Sequence, residues 1–330
     1  MSNTKTQHLD TFTGNITLGE KRSFRNMAVV PLFFNSEQKT KYYTLSKALK
    51  KGLVEIVEKN SGGSVPELRV INKGKKRVLL LDSEELAGAK QNRILNTSIL
   101  LKKESETIIP VSCTEAGRWD YNSPKFKDSG NVAAYEIRRK KVNSVSNSLK
   151  MRKEFHSNQS EVWDNIDNYL HESKSLSRTR AMKDFYDQQK HKIDDYVKAF
   201  PIEKGQKGFI ILINGRIAGM DFISSEKAFE ELYEKMLKSY AAHANIKSEE
   251  TKDDKKEADV ENFIKRLKKA ETSRFKSVGH GYDNRISSKH IAGNMLTYRG
   301  EIIHLAVFDN KDINKKPGHR RDINDIDFFL

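Results

Sequence analysis

The sequence predicts a folded α+β protein with an N-terminal antiparallel β sandwich or open barrel, a helical segment, and a smaller α+β unit with two β-hairpins. Three observations predict this class. Short β-branched segments bounded by turn residues dominate the first 120 residues. Apolar residues then recur at helical spacing from residue 132 to residue 200. Alternating apolar runs return after residue 208.

The N-terminal part begins with a polar lead-in, residues 1–14, which we expect to be flexible because it has no periodicity. The β-rich domain then covers residues 15–125 and carries the main polar cluster of the sequence. Within it, the apolar runs 68–71 and 78–81 are predicted to form a hairpin that turns at Asn72-Lys73-Gly74. Further strands are predicted at 27–34, 53–58, 94–101 and 107–113.

The rest of the chain divides into three segments. Residues 126–200 form the helical segment, and residues 201–309 form the small α+β unit. In that unit one hairpin turns at Asn214-Gly215 and the other at Arg299-Gly300, with a helix over 225–242 between them. Residues 310–330 are a polar tail, and the charged stretch 247–259 predicts a solvated loop.

Composition limits the classes of protein that remain. The net charge of +15 favours an anionic partner such as a nucleotide, a phosphorylated small molecule or a nucleic acid, although a lysine-rich composition alone also explains it. No run reaches the roughly 18 apolar residues of a membrane span, and no N-terminal signal core is present. The single cysteine, Cys113, excludes an internal disulfide. We therefore expect a cytoplasmic protein that does not enter a membrane; the cofactor and the oligomeric state stay unknown.

A polar segment follows the most apolar strand, 78–81, and runs directly into the next strand. Since a segment held between core strands is rigid, it suits a binding or catalytic site. Lys90 and Arg93 could clamp an anion, and Gln91 with Asn92 could orient the ligand. Glu84 or Glu85 is the candidate general base, because burial beside an apolar strand would raise the pKa of a carboxyl. A surface turn whose charges pair with each other remains an alternative.

A second cluster, Glu115, Arg118 and Trp119, follows the strand 107–113. Arg118 and Trp119 offer a cation and a flat apolar face, a pair suited to a nucleobase. Alternatively, Trp119 anchors the core and Arg118 lies on the surface beside it. Cys113 ends this strand, where a cysteine usually acts as a small hydrophobic residue rather than as a nucleophile.

A basic segment, 138–153, is the candidate surface for nucleic acid if its apolar residues form one face of a helix. A solvated helix face is the alternative. Its cations are Arg138, Arg139, Lys140, Lys141, Lys150, Arg152 and Lys153. Three histidines later in the chain have dissimilar spacings, so no metal site is predicted.

Residues 79–97 and 109–119 together resemble the family named for association with ADP-ribosylglycohydrolase and rhodanese-phosphatase proteins. These motifs run from the leucine triplet before Asp82 to Thr97, and from Ile109 to Trp119. The resemblance extends more loosely to residue 308 and covers most of the chain. It implies a role in ADP-ribose or nucleotide metabolism and in stress or defence systems, without implying a mechanism.

Three functions follow from these observations. In the first, the protein binds a phosphorylated nucleotide or an ADP-ribose-like small molecule, with hydrolysis or transfer as an open further step. In the second, it is a nucleic-acid-binding or repair accessory module that uses the basic segment 138–153. In the third, it is a non-catalytic interaction subunit whose polar clusters form an interface.

Overall fold

The structure, a computed structural model, describes residues 7–60, 64–249 and 259–310. The fold is α+β, as predicted. The helices of the described ranges are α1 Gln7–Asn15, α2 Leu45–Lys50, α3 Tyr135–Arg152, α4 Gln159–Glu172, α5 Met182–Gln188, α6 Lys190–Ala199, α7 Glu226–Ile246 and α8 Val260–Lys268. The strands are β1 Ile16–Leu18, β2 Arg22–Phe24, β3 Met27–Phe34, β4 Tyr42–Thr44, β5 Val54–Glu58, β6 Glu67–Asn72, β7 Arg77–Leu80, β8 Glu84–Gly88, β9 Arg93–Leu95, β10 Ile99–Leu101, β11 Ser105–Cys113, β12 Phe126–Val132, β13 Gln206–Ile213, β14 Arg216–Ile223, β15 Glu271–Lys276, β16 Tyr282–Ser287, β17 Ile291–Tyr298 and β18 Glu301–Asp309.

A nine-stranded antiparallel sheet joins both ends of the described chain. Its order is β1-β3-β13-β14-β18-β17-β16-β15, and β2 also pairs with β3. The N-terminal strand β3 therefore lies beside the hairpin β13–β14, across the boundaries that the sequence suggested at residues 125 and 200. The division into domains at those positions stays a prediction. Helices α3 and α7 pack on one face of this sheet, where their apolar residues form the largest core cluster.

A six-stranded antiparallel sheet, of order β12-β8-β9-β11-β6-β5, forms the open barrel that the sequence predicted. Its two edge strands, β12 and β5, approach each other, and Lys125 pairs with Glu55 across the gap. Alternate residues of each strand point inward and form an apolar interior, because side chains of a strand alternate between its two faces. The interior includes Leu68, Leu86 and Val111.

The predicted hairpin over residues 68–81 is wrong. Strand β6 pairs with β5 and β11 in the barrel, whereas β7 lies between β10 and β4 in a separate three-stranded sheet. The physical reason is the connection between them. The Asn72 side-chain amide donates to the backbone carbonyls of Lys76, at 3.0 Å, and Lys102, at 2.6 Å. These bonds hold a wider loop than the predicted turn at Asn72-Lys73-Gly74, and β7 pairs in another sheet.

Both C-terminal hairpins form as predicted. Asn214 and Gly215 have φ values of 50° and 73°, and Arg299 and Gly300 have 51° and 79°. Two consecutive residues with positive φ are typical of the type I′ turn, whose twist matches that of paired strands. The helix between the hairpins, α7, begins after Ser225, whose side chain accepts a hydrogen bond from the backbone N–H of Ala228.

The described part of the lead-in is helical. Residues 7–15 form α1, and Leu9 and Phe12 are buried against the outer face of the nine-stranded sheet. Apolar side chains three positions apart on a helix lie on one face, which explains the docking. The tail over 311–330 and most of the charged loop, 250–258, lie outside the described residues. No helix within the described ranges has the length and apolar composition needed to cross a membrane.

A buried ion pair joins α3 to the nine-stranded sheet. Arg138 donates to both carboxylate oxygens of Asp221, at 2.5 and 3.1 Å, and both side chains are fully buried. Tyr240 in α7 donates a third bond to Asp221, at 2.8 Å. Burial alone would raise the pKa of Asp221, but the Arg138 guanidinium holds that pKa below its ordinary value. The carboxylate therefore stays ionised, and α3 and α7 are both tied to β14.

We predict that Asp221→Asn destabilises the fold by about 3–5 kcal/mol, because the substitution leaves a buried guanidinium without its counterion. Urea unfolding followed by circular dichroism measures the effect. The control is Asp195→Asn, which removes an exposed pair with Arg25 at 3.2 Å and should cost at most about 1 kcal/mol. Equal losses in the two variants would contradict the structural role of the buried pair.

Candidate functional site

One mouth of the barrel collects the polar side chains that the sequence indicated. Arg93 begins β9 and lies opposite Leu86 of β8 and Cys113 of β11. Residues that oppose each other on paired strands share a face, so Arg93 points into the barrel with Leu86. Glu58 ends β5, two positions after Ile56, and its alternating burial places it on the inner face as well. We call the region around Arg93, Glu58 and Lys90 the barrel mouth.

The Arg93 guanidinium is the central group of the barrel mouth. Arg93 is 0 % exposed to solvent, although it lies at the end of the barrel. Nη1 donates to Oε1 of Gln91 at 2.9 Å, whereas Nε and Nη2 have no hydrogen-bond partner among the described residues. Burial lowers the pKa of Arg93, and the nearby Cys113 and Glu58 oppose that shift. The site thus holds a buried cation with two nitrogen donors that have no hydrogen-bond partner among the described residues.

Two exposed aromatic rings cover the mouth. Trp119 is 42 % exposed and Tyr121 is 52 % exposed, both in the loop after β11. The guanidinium carbon of Arg93 lies 5.6 Å from the centre of the Trp119 ring. Lys90 Nζ lies 5.3 Å from the centre of the Trp119 ring and 5.2 Å from that of Tyr121. A cation is attracted to the face of an aromatic ring. These contacts hold the loop over Arg93 while the two rings still face solvent.

Arg118 and Glu115 hold this loop in place. Arg118 donates to Glu115 from Nε at 2.9 Å and from Nη2 at 2.6 Å, and Nη1 donates to the carbonyls of Ala89 and Asp120. Burial would raise the pKa of Glu115, but the hydrogen bonds from Arg118 lower it overall. Since its donors are used by protein acceptors, Arg118 positions the loop that carries Trp119. From the sequence we expected Arg118 to contact the nucleobase of a ligand.

Gln91 and Asn92 also bond within the protein. Gln91 accepts from Arg93, as above, and Asn92 Oδ1 accepts from the backbone N–H of Gly88 at 3.1 Å. Gly88 has a φ of 126°, and a Cβ there would lie 2.6 Å from Oγ of Ser123. The turn from Gly88 to Asn92 therefore packs directly against the loop after β11.

Glu84 and Glu85 lie on opposite faces of β8, because successive strand residues alternate. Glu84 receives a bond from Lys235 of α7 at 2.7 Å, and Asp128 shares that lysine at 2.9 Å. Burial raises the pKa of Glu84, and the nearby Lys235 opposes the shift. This carboxyl is thus engaged in a buried pair with α7. Glu84 lies two positions before Leu86, the partner of Arg93, and so shares that face of the strand, but it is bonded to Lys235; Glu85 points to the other face.

Glu85 occupies a polar pocket on the other face. Thr114 Oγ1 donates to its Oε1 at 2.9 Å, and Oε2 has no partner with hydrogen-bond geometry in the described chain. Burial raises the pKa of Glu85 to about 7, although side chains nearby, including Ser129 and Thr114, act to lower it. Glu85 therefore carries a proton in a large fraction of molecules near neutral pH.

The basic segment forms α3, but its strongest cations face the interior. Arg138 pairs with Asp221, and Lys141 is fully buried in a pair with Asp82. Arg139 is also buried and bonds to Glu136 of its own helix. These three side chains are therefore not available to a nucleic acid in this fold. The buried face of α3 is wider than its apolar residues alone indicated, and it includes these cations. Lys140 is partly exposed; Lys150, Arg152 and Lys153 are exposed.

Sequence reasoning missed Glu58, and it treated Cys113 as a small buried residue. Cys113 is fully buried, and burial raises the pKa of its thiol. Glu58 is 6 % exposed; its Oε1 accepts the backbone N–H of Lys90 at 3.3 Å. A signal for it was available, since the run Val54-Glu55-Ile56-Val57-Glu58 places Glu58 in phase with the inward residues Val54 and Ile56.

We predict that Glu85 makes the fold less stable as the pH rises from about 4.5 to about 7. The folded state binds the Glu85 proton more tightly than the unfolded state does, so stability falls across that window and levels off above it. Glu85→Gln cannot ionise and should gain roughly 3 kcal/mol over wild type between these limits.

Urea unfolding of both proteins at several pH values measures this difference. His243, whose pKa burial lowers to about 4, has the opposite slope but is common to both proteins. Parallel stability curves for wild type and Glu85→Gln would contradict the raised pKa.

Comparison with known proteins adds the family. No curated protein and no solved structure gave a match. A family model described as the ARG and Rhodanese-Phosphatase-superfamily-associated Protein domain matches residues 15–308, which is most of the chain and includes the barrel, both hairpins and the barrel mouth. The family is named for its association with ADP-ribosylglycohydrolase and rhodanese-phosphatase proteins. The chain belongs to this family of ARG and Rhodanese-Phosphatase-superfamily-associated Protein domains.

Proposed function

We propose that the barrel mouth binds a phosphorylated nucleotide ligand of the ADP-ribose type. The observation that carries the proposal is the Arg93 side chain, which is fully buried yet has two nitrogens without partners among the described residues. A buried polar group without a partner costs about 1–3 kcal/mol, and more when it is charged. A phosphate that accepts two parallel bonds from the guanidinium fork would remove that cost.

Charge at the barrel mouth supports an anion. Lys90, Arg93 and Arg118 supply three positive charges, and Glu58 and Glu115 supply two negative charges. The site therefore keeps an excess positive charge in a setting with little water around Arg93. Coulomb attraction to an anion is stronger there than at an exposed surface, because the effective dielectric constant is lower. The net charge of +15 over the whole chain adds long-range attraction of the same sign.

The two exposed rings suit the base of a nucleotide. Trp119 and Tyr121 both lie close to Lys90 Nζ, with their ring centres 5.3 and 5.2 Å from it. Stacking of a base on an aromatic side chain contributes about 1–3 kcal/mol. Large exposed aromatic side chains next to a buried, unsatisfied cation form a mixed apolar and polar site, which is the usual composition of a small-molecule pocket. The mouth of a barrel is a common position for such a pocket.

The proposal is limited to binding. A hydrolytic or transfer reaction at the barrel mouth would need a base there, and Glu84 is held by Lys235 while Glu85 lies on the opposite face of β8. The nucleic-acid alternative loses its main support, because Arg138 and Lys141 are buried in ion pairs. The non-catalytic interaction subunit differs from our proposal in one respect: its barrel mouth would bind no nucleotide.

A thermal-shift assay with ADP-ribose tests the proposal. At a ligand concentration of 100 times Kd, binding stabilises the folded protein by about 2.7 kcal/mol, which raises the melting temperature by several degrees. Trp119→Leu should lose about 1–3 kcal/mol of binding free energy by removing the stacking face. Arg93→Lys keeps the charge but loses the bidentate fork, and it should weaken binding at least as much.

Tyr282→Leu is the matched control. Tyr282 is 43 % exposed and lies under Arg274, 3.5 Å from ring centre to guanidinium carbon, in β16 beside the edge strand β15 of the nine-stranded sheet. It reproduces an exposed aromatic residue with a cation on its face, outside the barrel. The control should bind ADP-ribose as wild type does. Absence of any stabilisation of wild type by ADP-ribose, ADP or AMP would overturn the proposal.

A further inference from the structure

The carboxylate of Glu58 is a second group at the barrel mouth that lacks a hydrogen-bond partner for one of its atoms. Its Oε1 accepts the backbone N–H of Lys90 at 3.3 Å, whereas its Oε2 is buried and lacks a hydrogen-bond partner in the described residues. The residue is 6 % exposed. A carboxylate has room for about four hydrogen bonds, so most of the accepting capacity of Glu58 is unused. A buried polar group without a partner is destabilising, as the partnerless nitrogens of Arg93 also are.

The position of Glu58 is set by the barrel. Strand β5 lies at one edge of the six-stranded sheet, with β6 and β11 between it and β9. The bond from Lys90 to Glu58 therefore crosses the mouth, from the turn before β9 to the far edge strand. This bond aligns one carboxylate oxygen toward the turn and leaves Oε2 for a group inside the mouth. The backbone N–H of Lys90 thus orients Glu58.

Glu58 and Arg93 do not satisfy each other. Glu58 is close enough to raise the pKa of Arg93, after the larger effects of burial and of Cys113. Yet Glu58 Oε2 and both Nε and Nη2 of Arg93 remain without partners among the described residues, so no ion pair closes the mouth. If the two groups simply balanced each other, they would be in direct contact, because desolvated opposite charges attract strongly. The donors of Arg93 and the acceptor of Glu58 are therefore both left for another partner.

We propose that Glu58 recognises the ribose hydroxyls of the ligand whose phosphate Arg93 binds; this inference rests on the proposed function. A single ligand satisfies both groups when it carries an anion and a hydroxyl donor a few bonds apart, and a ribose phosphate has that arrangement. Carboxylates that accept from ribose hydroxyls are a common device in nucleotide sites. A free phosphate would satisfy Arg93 but would be repelled by Glu58, so Glu58 selects sugar phosphates over inorganic anions.

Isothermal titration of ADP-ribose and of inorganic pyrophosphate separates the two roles. Pyrophosphate has the anionic charge and lacks hydroxyls of a sugar. Glu58→Gln should weaken ADP-ribose binding about tenfold, the loss of one charge-assisted hydrogen bond, and should leave pyrophosphate binding equal or tighter. Arg93→Lys should weaken both ligands. The control is Glu67→Gln on the adjacent strand β6, a partly exposed carboxylate paired with Lys59 at 2.5 Å, which should change neither affinity.

The outcomes distinguish the inference from the function on which it rests. If wild type binds neither ligand, the proposed function and the inference both fail. If wild type binds ADP-ribose and Glu58→Gln weakens the two ligands equally or not at all, the inference alone fails. Glu58→Asp provides a second test should Glu58→Gln not fold: it keeps the charge but withdraws the carboxylate by one methylene, so ADP-ribose should again be weakened and pyrophosphate should not.

Discussion

The segment between Asp82 and Ser98 joins the barrel to the nine-stranded sheet through buried polar contacts, and the arrangement of the other elements depends on them. Lys141 of α3 pairs with Asp82. Ser98 accepts from the backbone N–H of Asp82 and bonds to His304 of β18, both at 2.8 Å. Thr97 donates to Asp283 of β16 at 2.5 Å. Each contact is buried, so losing one partner would leave a polar group in the core at a cost of a few kcal/mol. The polar segment must therefore keep one conformation.

This constraint explains how a cation can be kept buried at the barrel mouth. Arg93 lies within the same segment, and β9, where it sits, is hydrogen-bonded on both sides, to β8 and to β11. The backbone cannot rotate Arg93 into water without breaking this pairing. Burial lowers the pKa of Arg93 but leaves it charged, because an arginine in a protein does not lose its proton. The rigid sheet thus keeps the Arg93 donors buried without a partner among the described residues. We propose that these donors bind the ligand.

The acidic residues of the segment divide between structure and function. Glu84 binds Lys235 and supports the contact of α7 with the barrel. Glu85 is held beside Thr114, and its raised pKa makes it a source of pH-dependent stability. The carboxylate at the barrel mouth is instead Glu58, from a strand about thirty residues earlier in the chain. Proximity in sequence was a poor guide here, because adjacent residues of a strand point to opposite faces. The curl of the sheet brings Glu58 and Arg93 to the same barrel mouth, although they form no ion pair.

The sequence by itself determined the α+β class, both type I′ hairpins and the polar segment with its clustered cations, since these follow from periodicity, turn chemistry and local composition. It also placed Trp119 near that segment, because consecutive strands usually pair. Only the tertiary structure decided which charges are buried. Arg138 and Lys141 looked like surface cations, and each found a buried aspartate from a distant element, Asp221 or Asp82. Pairing between residues 59 or more positions apart depends on how sheets and helices pack, which local patterns do not encode.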